Sequence, residues 1–425
     1  MGIQGLSTFV DNNSYLLTDK QFHDTRVVID GKNLYFFLHK YFRLNPQCGG
    51  DYNTYDQKIK YYFGIFKSCN IEPYVIFDGA YDKSDIKLRT TKKRASDRLN
   101  TVRHALHSTD ANLVPLLAQE TFQCALDDLG IPHATCNFEA DREIAALANA
   151  WNCPVMSNDS DFYVYDVKAG FIPIDYLDLS VKRHEHQKTS KGEQSSCTEK
   201  NCTSDYKYIN AQIYYVDTLL DKFKLKDRNL LPLFATLQGN DYVSLSAFDD
   251  FYCKTDLPKQ PKNGSVRHKR MTRVLKWFER HQYDVTQATK AVLSRYDMDT
   301  RDDIEETLRL SCETYMDQST DLVNFFQHDV VHENKVQTQS GANTYCTCST
   351  DLYKLRNECE FCSGPCTNNM HIILVLSWTT LRLWHAFGKA LLHRHTCTCT
   401  WISAVHVAFR HSYTCSVSYL RLFRC

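Results

Sequence analysis

The stretch Arg26-Val-Val-Ile-Asp-Gly-Lys-Asn-Leu-Tyr-Phe-Phe-Leu-His-Lys-Tyr-Phe42 decides the fold. Three β-branched residues in a row, with no polar alternation, describe a strand buried on both faces. The run ends on an acid, Asp30, and the residues from Asn33 to Phe42 read as a helix. The same signature returns in Pro73-Tyr-Val-Ile-Phe-Asp78-Gly79, in Ile131 to Cys136, and in Cys153-Pro-Val-Met-Ser157 with Asn158-Asp-Ser-Asp161 behind it. Helices are expected between these strands, over Tyr55 to Cys69 and Glu139 to Trp151. Strand and helix in alternation give an α/β fold, a mainly parallel twisted sheet flanked by helices. In such sheets a ligand binds beyond the carboxyl ends of the strands.

Composition excludes little. The chain has 425 residues, 43% hydrophobic and 24% charged, with formal net charge zero, so any case for nucleic acid rests on local patches. The opening MGIQGLSTF has no apolar signal core and no Ser or Thr at position six for myristoylation. No membrane association is expected, because Ile372 to Leu392 is broken by Arg382, His385 and Lys389. Nine of the 18 cysteines lie after residue 339, including Cys346, Cys348, Cys359, Cys362 and Cys366. Their spacing invites zinc, but no acid follows Glu360, and the tail 331–425 is read as atypical, disordered and without assigned function.

Seven acids fall at strand ends or in adjoining turns: Asp30, Asp78, Glu139, Asp141, Asp159, Asp161 and Asp241. Each alone reads equally well as a turn former or a helix cap. In a parallel sheet they converge on one cleft, where like charges repel unless cations neutralise them. Oxygen-only donors suit Mg²⁺, with Mn²⁺ able to substitute. Two such ions about 4 Å apart serve in-line displacement at phosphorus.

MGIQGL (Met1–Leu6), VVIDGKNLY (Val27–Tyr35), YVIFDG (Tyr74–Gly79), FEADREIA (Phe138–Ala145), SNDSDF (Ser157–Phe162) and GNDY (Gly239–Tyr242) resemble, in order and spacing, the XPG/flap-endonuclease superfamily. CGGDY (Cys48–Tyr52), ANAWNCPV (Ala148–Val155) and LLPLFATLQGNDY (Leu230–Tyr242) look like its asteroid family, over roughly residues 1–330. The resemblance implies a PIN-like, 5′-nuclease fold with a helical C-terminal extension. It implies that Asp30 and Asp78 hold one ion and Asp159 and Asp161 the other. Asp141 takes the bridging place, where eukaryotic flap endonucleases have Glu, and Glu139 and Asp241 act through water. It implies a region like the XPG N-terminal domain over 1–105 and one like the internal domain over 113–250, together one nuclease domain. The polar stretch 181–206 reads as a mobile insertion, and 251–330 as a helical DNA arm or packing region.

Between Gly79 and Asp110 eight Lys and Arg face four Asp, an excess that suits phosphate. Lys87, Arg94 and Arg98 share one helical face, and the resemblance gives Lys87 and Arg94 the scissile phosphate. Gly2 and Gln4 are implied at the DNA junction. Tyr35 is read as a base-stacking residue or a core aromatic, and Lys254 and Lys269 as backbone grips or solvated charges. Flap endonucleases have a glycine-rich hairpin after the last acid, whereas Val243-Ser-Leu-Ser-Ala-Phe-Asp-Asp250 has none. No clamp-binding box is found, since Ser319 stands where Leu322-x2-Phe325-Phe326 would need Gln. The expectation is an Mg²⁺-dependent endonuclease for single-stranded, flap or overhang DNA. A nuclear place, DNA repair and recruitment by repair proteins come from the resemblance alone. The alternatives are a catalytically silent signalling scaffold and a PIN-like RNase.

Overall fold

The computed structural model describes residues 2–46, 50–80, 88–105, 113–184, 205–259, 261, 264–316 and 319–327. The first half runs α1 (Leu6–Asp11), β1 (Leu17–Phe22), β2 (Thr25–Asp30), α2 (Gly31–Tyr41), α3 (Tyr52–Ser68), β3 (Ile71–Phe77), α4 (Leu88–Ala105), α5 (Ala118–Leu129), β4 (His133–Thr135), α6 (Asp141–Trp151) and β5 (Val155–Ser157). It continues β6 (Phe171–Pro173), β7 (Leu177–His184), β8 (Tyr206–Tyr214), α7 (Val216–Lys222), α8 (Leu230–Gln238), α9 (Asp249–Lys254), α10 (Val266–His281), α11 (Val285–Leu293) and α12 (Met298–Met316).

One eight-stranded sheet runs β1-β8-β6-β5-β2-β3-β4, with β7 also on β8. Strands β5, β2, β3 and β4 pair in parallel, as the apolar runs predict, and β6, which the sequence reading did not include, extends them on β5. The β8 pairings with β1, β6 and β7 are antiparallel, an edge that the sequence reading did not include. The expected insertion 181–206 is trimmed at both ends. Residues 181–184 complete β7 and Tyr206 opens β8, while 185–204 lie outside the described residues.

Both faces of the parallel strands are buried, which is why those strands carry no polar alternation. Val27, Ile29, Val75 and Phe77 face a core shared with α2, α3 and α5. Val28, Ile76 and Val155 face the opposite core, which α6, α8, α10 and α12 complete. Helix α8 is buried at all nine positions, so it is the hydrophobic axis of that second layer. In α10 the buried stripe is Met271, Val274, Leu275, Trp277 and Phe278, and the basic residues before it lie inside the helix rather than in a linker. No helix among the described residues is long and apolar enough to cross a membrane.

The chain leaves β2 toward β3 and β4 on one side, then returns to place β5 and β6 on the other. The order therefore reverses between β2 and β5, and a crevice is expected beyond their carboxyl ends.

A carboxylate rim as candidate active site

Asp30 sits at the carboxyl end of β2 and caps α2. Its Oδ1 accepts from the Asn33 backbone N–H at 3.0 Å, and its Oδ2 from Asn33 Nδ2 at 2.5 Å and Ser157 Oγ at 2.8 Å. Burial raises its pKa to about 6, against those hydrogen bonds, and Asp78 nearby adds to the rise. Ser157 ends β5 and is itself fully buried. Its Oγ also accepts from the Asp159 N–H at 3.0 Å, so one hydroxyl links the ends of two strands.

Asp78 follows β3. Gly79 behind it has no substitute, because an added Cβ would overlap the Cys136 carbonyl. That close approach lets Gly79 and Ala80 donate to Phe138 O and Asn137 O at 2.7 and 3.0 Å, and it brings the exit of β3 against the start of α6. Asp78 Oδ1 then accepts from Ala140 N–H at 3.0 Å, and Oδ2 accepts from Lys32 Nζ at 2.8 Å. Glu139 lies close enough to Lys32 to stabilise its ammonium. Burial raises the Cys136 thiol to about 12, and Glu143, Asp78 and Asp141 push the same way.

Asp159 and Asp161 follow β5. Asp159 caps the short turn Ser160–Tyr163, accepting from the Asp161 N–H at 3.2 Å. Gly2 presses on both: with φ +48°, any Cβ there would overlap Asp159 Oδ1 and Asp161 Oδ1. Asp161 Oδ1 also accepts from Tyr315 OH of α12 at 3.3 Å, and Asn240 Nδ2 donates to that phenol oxygen at 3.3 Å. Burial, with Asp161 the nearest charge, holds the Tyr315 phenol well above its usual range, so it donates. Asp241, next to Asn240, pairs with Arg94 of α4 at 2.6 Å, and Thr90 donates to its carbonyl at 3.0 Å.

Of the seven acids expected from the sequence, Asp30 is linked through Ser157 to Asp159 and feels the charge of Asp78, Asp161 touches Gly2 and Tyr315, Asp241 is tied to α4, Glu139 lies near Lys32, and Asp141 opens α6. The donor set is all hard oxygen, which fits a divalent cation in kind. In arrangement it is not a ready cage, since no three His, Cys, Asp or Glu side chains among the described residues converge to hold an ion. Lys32 and the Ala140 N–H are bonded to the two Asp78 oxygens, Tyr315 to Asp161 Oδ1 and Arg94 to Asp241 Oδ2.

The other expected residues divide. Lys87 lies outside the described residues, as do the tail 331–425 and its cysteines. Arg98 sits 5.8 Å over the Phe36 ring. Gln4 is exposed beside Gly2. Tyr35 is only 8% exposed and packs on Phe36 and Phe122, so its ring is a core ring and offers no face to a base. The exposed aromatic at the rim is Phe138. Lys254 is committed to Asp250 at 2.9 Å and to the Arg295 carbonyl at 3.1 Å, a local brace rather than a grip. Lys269 is half-buried on α10. Sequence reasoning missed Lys32, Ser157, Asn240 and Tyr315. The first three stand inside the quoted motifs and could have been found there, whereas Tyr315 carries no local signal.

Residues 1–101 match the XPG N-terminal domain. The chain's resemblance to the asteroid family holds over most of the described residues. It is 36% identical over 329 residues to "Single-strand DNA endonuclease ASTE1" of Homo sapiens, covering 77% of this chain and 46% of that protein. It is 31% identical over 369 residues to "Protein asteroid" of Drosophila melanogaster, covering 79% and 42%. The chain spans less than half the length of these curated relatives. Among solved structures, the catalytic core of Rad2 in complex with DNA substrate aligns at TM-score 0.40 and 16% identity, covering 74% of this chain and 87% of that one.

Proposed function

We propose that this chain is a structure-specific DNA endonuclease that hydrolyses phosphodiesters in single-stranded, flap or overhang DNA, leaving 5′-phosphate and 3′-hydroxyl ends. The observation that carries the reading is the rim itself, where Asp30 of β2 and Asp159 after β5 share Ser157, Asp78 after β3 is bonded to the start of α6, and Gly2 is pressed against Asp159 and Asp161. Buried and half-buried carboxylates in such number oppose folding unless they have work to do. Two Mg²⁺ ions, or Mn²⁺, are the cofactor in this reading, and when bound they supply the positive charge that displacement at phosphorus requires.

The chain's own residues do the positioning. Helix α4 is held to the rim at Asp241 by Thr90 and Arg94, which places its basic face beside the carboxylates. Arg94 and Arg98 then hold phosphate, Ser157 fixes the carboxylate of Asp30 and the backbone of Asp159, and Tyr315 fixes the carboxylate of Asp161. Action in the nucleus and in DNA repair belongs to this reading through the resemblance alone.

A second reading, a silent scaffold on a nuclease fold, has one observation behind it: Lys32 and Arg94 neutralise Asp78 and Asp241 internally. Purified 425-residue chain, given Mg²⁺ and labelled single-stranded, flap, overhang and duplex DNA and the matching RNA, separates the readings. The wild type is expected to cut the DNA substrates with single-stranded character, and Asp159→Asn/Asp161→Asn to be slower by on the order of 100-fold or more. Equal cutting by both proteins would refute the assignment, and a preference for RNA would move it to the RNase class.

A further inference from the structure

Lys32 stands where a cation is costly. It is the second residue of α2, at the positive end of the helix dipole, where a positive side chain is disfavoured. Partial burial works against its charge as well. Its ammonium is nonetheless on Asp78 Oδ2 at 2.8 Å, with Glu139 adding to the attraction. Asp78 Oδ1 accepts from the Ala140 N–H, which leaves Oδ2 the more open of its two oxygens to a cation. One compact ammonium therefore sits on the lone pairs that a divalent ion needs.

We propose that Lys32 is the exchangeable counter-cation of Asp78, holding Oδ2 until a divalent cation displaces it. This rests on the rim's being a divalent-cation site. The lysine stem is long and its side chain 47% exposed, so the ammonium can turn to water without disturbing α2. Lys32 thereby compensates the repulsion between Asp78 and Asp30, and it sets the threshold of cation concentration at which the rim fills.

The test is calorimetric titration of Mn²⁺ into chelator-treated full chain, with thermal unfolding in EDTA and in Mn²⁺. Lys32→Met keeps the length and apolar stem and removes the charge, Lys32→Gln does so with a polar end, and Lys32→Arg keeps the charge. Both neutral variants are expected to bind Mn²⁺ about tenfold or more tightly than wild type, because a competing positive charge is gone. They are expected to melt lower than wild type in EDTA and to gain more from Mn²⁺. Lys32→Arg is expected to stay near wild type in both measurements. Wild-type binding with unchanged or weaker binding in the neutral variants overturns the proposal and leaves the cation site standing. A Lys32→Arg protein that behaves like Lys32→Met overturns it too, since shape rather than charge would be responsible. No Mn²⁺ uptake by any of the proteins overturns the proposal together with the cation site.

Discussion

Asp30 is a buried acid of the rim, and its environment has a measurable sign. Burial holds its folded pKa at about 6, above the ordinary value of 3.8. The fold therefore favours the protonated carboxyl. That contribution is fully present below the unfolded value and is lost as pH rises through the folded one. In EDTA, Asp30→Asn is expected to melt higher than wild type at pH 8, by on the order of 1 kcal/mol, and to lose that advantage toward pH 4. A constant difference across the range would show that Asp30 is not held against its charge. At this scale the sequence located the acids well, because an acid at the end of an apolar run is a local pattern. It did not disclose which oxygens Lys32, Arg94 and Tyr315 take. Those partners are 46, 147 and 154 positions away along the chain from their acids. Tyr35 shows the same limit, since an aromatic in an apolar run reads alike whether it lines a cleft or a core.

The parallel strands and their helices were legible as elements, since each is an uninterrupted apolar run or a helical stripe of its own. The antiparallel edge was not. β1 (LTDKQF) is exposed at four of its six positions, and β7 is mostly exposed too. Such strands have no apolar signature and exist because β8 pairs with both. The region after Asp241 was legible only as a departure. In place of a glycine hairpin the chain turns through Leu245–Phe248 into α9, and α10 and α12 pack on α8. Helix α4 is the element with a functional prediction. The Arg94–Asp241 pair has an arginine side chain 38% exposed, so it contributes little to stability. Arg94→Ala is expected to leave thermal unfolding within about 1 kcal/mol of wild type. Cleavage is expected to slow by roughly tenfold to 100-fold through loss of a phosphate contact. A loss of stability that matches the loss of activity would make Arg94 a brace for α4 and nothing more.

At the scale of the whole molecule, two apolar cores cover the two faces of one sheet, and the reversal of strand order between β2 and β5 brings the strand ends that carry Asp30 and Asp159 side by side. Gly2, from the start of the chain, presses on Asp159 and Asp161, and Tyr315 of α12 bonds to Asp161. The sheet is thus a frame that carries charge to one place, and the account depends on cations completing it. Anomalous diffraction from Mn²⁺-soaked crystals of the full chain tests this most directly. Peaks are predicted on the rim, one beside Asp30 and Asp78 and one beside Asp159 and Asp161, with the Lys32 ammonium moved off Asp78. An empty difference map, with Lys32 and Arg94 still on Asp78 and Asp241, would contradict it.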